Sequence, residues 1–348
     1  MSFGAAPSSR GGSQGSPRKK RIGVIGSLVW DVIHGRDTRT APVEEWGGIT
    51  YTLSALDAAL PDDWEIVPIM MVGEDLATRA REFLRTLKRM APDASLMAVP
   101  YPAQRVELRY HSEERRTERL TGGLPAWSWL ALKPLLDEAR VDALLINFLS
   151  GWELDLETAT LIRQHFAGPI HCDLHMMAWA VQPDGMRTLR PIPNIAEWCR
   201  CFDFLQMNED ELAMVAPDPM SLAATAIAAG VSCLFVTLGK RGAIYVAAPA
   251  FDEIGDLPPR TGLSTGPRGG TGGLGPVRTA LMPAEPVDDA LDPTGCGDVW
   301  GATYFSRMLA GDKLADAMKA AGRAAARNVG HRGVTGLASH LRGELSLT

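Results

Sequence analysis

Six short apolar runs constrain this chain more than any other feature: Ile22-Gly-Val-Ile-Gly26, Ile66 to Val72, Ala143 to Phe148, Pro169 to Leu174, Phe202 to Met207 and Cys233 to Leu238. They show no polar-apolar alternation, so each reads as a strand buried on both faces. Between them, Leu76 to Met90, Leu156 to Phe166 and Ser221 to Ala229 have the length and pattern of helices. Buried strands alternating with helices predict an α/β fold with helices on both sides of a central, mostly parallel sheet. Such sheets bind ligands at the carboxyl ends of their strands.

At ~150 residues per domain, a chain of 348 residues that is 46% hydrophobic can build one large α/β domain or two smaller ones. A formal net charge of -6 gives no broad attraction to nucleic acid or to an anionic membrane, so the expected partner is a small molecule. No apolar run approaches a membrane span and no secretory signal is visible, so the expected location is the cytoplasm. Five cysteines do not make a disulfide framework. His171, Cys172 and His175 beside Cys199 and Cys201 read as core packing, with a zinc site as the weaker alternative because no second ligand pair has zinc-like spacing.

Residues 1–20 are rich in Gly, Ser and Pro and carry no acidic residue, which predicts a solvated tail, with a transit peptide as the alternative. The alternation in Arg105-Val-Glu-Leu-Arg-Tyr110 predicts a half-exposed antiparallel strand, and we place a small β lid in 31–46 and 96–120. Its apolar face could cover the substrate or a second copy of the chain, and a homodimer is left open. A flexible Gly/Pro-rich loop is expected over 252–286; the GxGxxG formed by Gly270, Gly272 and Gly275 is flanked by prolines rather than by a strand and a helix.

The chemistry concentrates in Leu291-Asp-Pro-Thr-Gly-Cys-Gly-Asp298, which leads into a helical pattern from Val299 to Leu309. The backbone N–H groups of Gly295, Cys296, Gly297 and Asp298 would point out of a helix start and could cradle a phosphate. An ionised Asp298 beside that phosphate could take the proton of an attacking hydroxyl; the plain alternative is a helix cap.

Asp292-Pro-Thr-Gly-Cys-Gly-Asp298 resembles the C-terminal signature of the ribokinase-like, or PfkB, carbohydrate kinases, usually written D-T-x-G-A-G-D. Gly47-Gly48 is similar to that family's N-terminal glycine pair, Val72-Gly-Glu-Asp75 to V-G-x-D, Asn208-Glu-Asp-Glu211 to N-x-x-E, and Val236-Thr-Leu-Gly239 with Gly242 to V-T-L-G-x-x-G. The matches fall in family order, so the expected kinase domain runs over 21–340. The resemblance implies an ATP-dependent transfer of the γ-phosphoryl group to a hydroxymethyl group of a small sugar or polyol. Asp298 would be the general base, with Gly295, Cys296 and Gly297 as the anion hole. Asp31, Gly47, Gly48 and Thr52 would bind the acceptor; Thr237, Gly239 and Asn208 would bind ATP; and Glu211 with Asn208 would organise Mg2+ through water. A monovalent cation is left open.

Several positions depart from the family pattern. Thr52 stands where the family often has Asn, and Asp173-Leu-His-Met-Met177 lacks the arginine of D-x-N-x-R, which weighs against a phosphorylated acceptor. His175 could face the pocket or sit in the core. Gly322 stands where relatives carry Asn near the adenine. Cys296 replaces alanine, and a thiol at a helix start is expected to have a lowered pKa. Trp30, Trp46 and Tyr51 could form a base slot, which keeps a nucleoside kinase as the alternative; a silent ligand-binding regulator is a further one.

Overall fold

The structure is a computed structural model that describes residues 18–34, 41–110, 116–257, 275–287 and 292–344. Most of the expected tail (1–17), parts of the lid (35–40 and 111–115), Leu291 and the loop segment 258–274, with Gly270 and Gly272, lie outside the described residues. The elements run β1 (Lys20–His34), β2 (Val43–Gly48), α1 (Ile49–Ala59), β3 (Trp64–Gly73), α2 (Ala77–Arg85), β4 (Met97–Val99), β5 (Gln104–Tyr110), β6 (Arg116–Thr121), α3 (Trp129–Ala139), β7 (Ala143–Asn147), α4 (Leu156–His165) and β8 (Ile170–Asp173). They continue with β9 (Trp179–Val181), β10 (Arg187–Leu189), α5 (Ile195–Cys199), β11 (Phe204–Asn208), α6 (Glu209–Ala213), α7 (Pro219–Ala229), β12 (Cys233–Thr237), β13 (Ala243–Ala247), β14 (Arg278–Met282), α8 (Cys296–Leu309), α9 (Leu314–Val329) and α10 (Leu337–Arg342).

The main sheet has the order β14-β13-β12-β11-β8-β7-β1-β3-β4. All neighbours are parallel except the last two hairpin partners, β13 and β14. Alternate side chains of the central strands feed two separate cores, which is why the sequence shows continuous apolar runs there. Leu145, Phe204 and Phe235 join the core under α1, α2, α8, α9 and α10, whereas Ile146, Leu205 and Val236 join the one under α3, α4, α5 and α7. His171 stacks on Phe305 at 5.4 Å and Cys172 is buried, so both serve the core. The expected three-layer α/β/α architecture is what the chain adopts. No helix among the described residues is long and apolar enough to cross a membrane.

β1 is much longer than the five-residue run expected from sequence. Ile22 to Ser27 pair with β3 in the main sheet, and Leu28 to Ile33 then pair with β2, with β5 lying on the strand's other side from Val29. One strand therefore belongs to both the body and the lid, and it carries Asp31 on the lid side. The lid is β2, the distal half of β1, β5 and β6. Of the segment from 96 placed in the lid from sequence, Met97–Val99 instead form β4 on the edge of the main sheet beside β3. The loop expectation is corrected at its far end: Arg278 to Met282 pair with β13 as a strand. The tail expectation reaches too far at Lys20, which starts β1, and Arg18 already bonds Asp142 at 2.9 Å.

The lid's alternation is resolved by burial. Val106 and Leu108, 4% and 3% exposed, face the cavity described below, and Glu107 on the opposite face pairs with His34 at 2.8 Å. Asp75 of the V-G-x-D segment accepts the Ala103 N–H at 2.9 Å and the Arg105 guanidinium at 2.7 Å. It anchors the chain entering β5 rather than touching a ligand.

Candidate active site

Strands β7, β8, β11 and β12 all end on one side of the sheet, and their last residues, Asn147, Asp173, Asn208 and Thr237, meet the start of α8 there. The chain order reverses between the paired strands β1 and β7, so the connections from their ends diverge at this point and leave a crevice. The result is a cavity of about 290 Å3 roofed by the lid. Asp31, Gly48, Asn208, Glu211, Thr237, Gly239, Gly295, Cys296, Gly297 and Asp298 all line it, although they are spread over most of the sequence.

Two expected site residues stand just behind the wall. Thr52 does not line the cavity; its hydroxyl donates to Asp298 Oδ1 at 3.3 Å. Gly47 supports Asp31: a Cβ at position 47 would lie 2.0 Å from Asp31 Oδ2, so only glycine lets that carboxylate lie flat on the backbone of β2.

Asp298 sits in the first turn of α8. Asn147 Nδ2 donates to its Oδ1 at 2.6 Å. Burial pushes its pKa above the usual carboxylate range, while His175 and the amide of Asn147 pull it back. Such a carboxylate is a stronger base than a solvated one yet stays available to accept a proton. Gly295, at φ +74, makes the turn into the helix, and the ring of Tyr51 packs so closely there that a Cβ would lie 2.2 Å away. The Cys296 N–H closes the turn on the Pro293 carbonyl at 3.2 Å, while Gly297 and Asp298 belong to the first turn, where N–H groups have no earlier helical carbonyl. The expectation for the Cys296 thiol is overturned. Its Sγ accepts from Asn328 Nδ2 at 3.3 Å, and partial burial raises its pKa to about 11, outweighing the helix start.

Asn208 and Glu211 form a capping box on α6. Glu211 accepts the Asn208 backbone N–H at 2.8 Å and its side-chain amide at 2.7 Å, and His175 Nδ1 lies 2.8 Å from the same carboxylate. The Glu211 side chain is 1% exposed. These bonds weigh against direct coordination of a metal by Glu211, whereas the role expected from sequence is through water; no cluster of three metal-ligating side chains occurs among the described residues.

His175 does face the cavity. Burial works against a charge on it, but Glu211, then Asp173 and Asp298, outweigh that and raise its pKa to about 9. Asp173, buried beside Glu211 and Asp298, is shifted upward, and Gln206 Nε2 bridges it to the Gly297 carbonyl at 3.0 Å each. Asn147, Asp173, Gln206 and the buried pair Arg187–Glu118 were missed from sequence. The only available signal was that Asn147 and Asp173 end apolar runs. Trp30 and Trp46 pack edge to face, 5.0 Å apart, and neither they nor Tyr51 lines the cavity, so the aromatic base slot is not formed. Gly322 has open space around it.

The sequence pattern of the pfkB family carbohydrate kinases matches residues 182–340. No curated protein matches the chain by sequence. Among solved structures it is similar to the ribokinase of Thermotoga maritima (TM-score 0.63, 17% identity, covering 93% of this chain and 98% of that one). It is also similar to Arabidopsis thaliana ribokinase complexed with ribose and ATP (0.61, 16%, 94% and 99%). A third is the Burkholderia thailandensis nucleoside kinase in complex with inosine (0.62, 14%, 91% and 94%). These likenesses extend over nearly the whole chain and establish the ribokinase-like fold.

Proposed function

We propose that this chain, ribokinase-like in fold and matched over residues 182–340 by the pfkB carbohydrate kinases, is an ATP-dependent kinase. It moves the γ-phosphoryl group to a hydroxymethyl group of a small sugar or polyol. The observation that carries this reading is the half-buried carboxylate of Asp298. It stands at the start of α8, with first-turn N–H groups beside it, in the same cavity as Asp31.

In this reading Asp31, held by Gly47, accepts hydrogen bonds from acceptor hydroxyls and turns the reacting one toward Asp298. Asn147 and Thr52 occupy Oδ1, which leaves Oδ2 to take the hydroxyl proton. As that proton moves, the alkoxide oxygen attacks the γ-phosphorus and the bond to the β-bridging oxygen breaks, with the electron pair leaving on ADP. The N–H groups of Gly295, Gly297 and Asp298 lie where charge grows on the transferring group and lower its energy without reorganising. Thr237, Gly239 and Asn208 line the donor end. Glu211 also lines this end, where it and Asn208 would organise Mg2+ through water, and the ion would neutralise charge on the transferring phosphates. The aliphatic wall of Val106, Leu108 and Leu149 supports a small acceptor over a nucleoside, whose base would need the aromatic slot that is absent from the cavity.

ADP release from Mg-ATP, measured across pentoses, hexoses, polyols and nucleosides with Asp298→Asn alongside, tests this. The expected result is turnover of a sugar or polyol that the variant loses. Turnover that survives in Asp298→Asn, or that is confined to nucleosides, would overturn the reading.

A further inference from the structure

At the lid end of the cavity lies a buried ion pair that the mechanism above does not use. The side chains of Arg187 and Glu118 are 2% and 7% exposed, and both line the cavity. Arg187 Nη1 donates to Glu118 Oε2 at 3.1 Å, and Nη2 donates to the Leu149 carbonyl at 2.7 Å. Its Nε–H, buried like the rest, has no hydrogen-bond partner. Leu149 packs on Gly48, so the guanidinium lies at the glycine-pair end of the site rather than at the α8 end.

Three elements are spent on delivering this pair. Glu118 comes from lid strand β6, and Arg187 from the separate hairpin β9–β10. That hairpin docks on β6 through the Leu120 N–H to the Gly185 carbonyl at 2.8 Å and Arg119 Nε to the Asp184 carbonyl at 2.7 Å. Burying two charges is costly, and an apolar pair would hold the lid as well. Leaving the buried Nε–H unbonded costs more, unless a ligand oxygen completes it. Around the pair the wall is aliphatic, from Val29, Val106, Leu108 and Leu149, with Asp31 also lining the cavity. An anion there would meet Asp31, Glu118 and Asp298 with Arg187 already neutralised.

Taking this end of the cavity as the acceptor end, which rests on the function proposed above, we propose that Arg187 and Glu118 determine acceptor specificity. Arg187 Nε–H donates to a neutral oxygen, a hydroxyl or a carbonyl, on the part of the acceptor remote from its reacting hydroxyl. Glu118 cancels the guanidinium charge. Neutral polyhydroxylated acceptors are therefore admitted, and sugars bearing a carboxylate or a phosphate are refused. The arginine missing after Asp173 is thus replaced from another element, but in a paired form that does not favour an anion.

The test compares the full chain with Glu118→Gln and Arg187→Lys. Binding is read as thermal stabilisation by D-ribose, D-fructose, D-glucose, D-gluconate and D-ribose 5-phosphate, and turnover as ADP release. We expect the unaltered protein to respond to a neutral sugar and to neither anionic probe. Glu118→Gln, nearly the same shape, should bind the anionic probes about tenfold more tightly than the unaltered protein, because the guanidinium is no longer neutralised. Arg187→Lys should raise the KM for the neutral sugar about tenfold while leaving that for ATP unchanged. A purely structural pair would lower the melting temperature and move neither preference. The proposal is overturned if the unaltered protein prefers an anionic probe or binds none of the neutral ones, or if Glu118→Gln gains nothing with gluconate. Stabilisation in the expected pattern without ADP release would keep the specificity pair and overturn the kinase reading instead.

Discussion

The two ends of the cavity are built in different ways. At the α8 end the groups arrive in short contiguous segments: Pro293 to Asp298 in one turn, Asn208 and Glu211 in one capping box, Thr237 and Gly239 at one strand end. At the lid end each group comes from a different element: Asp31 from the distal half of β1, Glu118 from β6, Arg187 from β10, and Leu149 from the segment after β7. The difference teaches that the chemistry of transfer rests on local backbone geometry, whereas the recognition of the acceptor rests on tertiary assembly. Damage at the first end should appear in kcat, and damage at the second in the acceptor KM.

The sharpest way to break this contrast is Asp298→Asn, expected to lower kcat by about 10^2 to 10^4-fold in the ADP-release assay while the protein stays folded. A variant with unchanged kcat would remove the α8 end from the chemistry. Gly295→Ala comes next. The positive φ and the Tyr51 ring both oppose a Cβ, so a loss of about 3 kcal/mol of stability is expected in urea denaturation. An alanine tolerated there would mean that the turn is not held by Tyr51.

At the other end, Gly47→Ala should push Asp31 off the backbone and raise the acceptor KM about tenfold, with the ATP KM unchanged. If both KM values rose together, the two ends would not be separable. A smaller effect sits between the ends, at His175, whose pKa is raised from 6.5 to about 9. The folded state binds the proton more tightly, so this stabilisation is fully present below the unfolded pKa and is lost as pH rises through about 9. The urea midpoint should fall between pH 6.5 and 9, and the fall should be shallower in His175→Gln; parallel slopes would show that the pair with Glu211 contributes nothing. The least effect is expected from Cys296→Ala, with kcat within about twofold and slow alkylation of the native thiol, since that thiol is half-buried and hard to ionise. Rapid inactivation protected by ATP would contradict its placement.

Much of the architecture was legible because buried parallel strands leave an unambiguous pattern: the apolar runs at 143–148 and 233–238 became β7 and β12 within a residue. The N-x-x-E segment shows the limit of a motif. The same letters that suggest a metal site also spell a capping box, and the structure realises the hydrogen bonds of the cap. Gly47 was picked out as a contact for the acceptor, but its place is beneath Asp31, a distinction that no spacing carries. The lid was located only in part, since nothing in 96–99 distinguishes an edge strand of the main sheet from a lid strand, and β1 reads as one short strand although it serves two sheets.

The sequence by itself determined the elements whose cause is local: the buried strands, the glycine turn into α8, and the carboxylate at position 298. Tertiary structure alone decided which side chains face one another across the cavity. It turned Val106 and Leu108 inward, took Trp30 and Trp46 out of the site, and set Arg187 against Glu118, 69 residues away. The physical reason is range. Backbone preference and hydrophobic periodicity act within a few residues and leave a trace in the order of the letters. A contact between distant segments depends on how whole elements pack, and a single polar residue on a strand carries no mark of the partner it will meet.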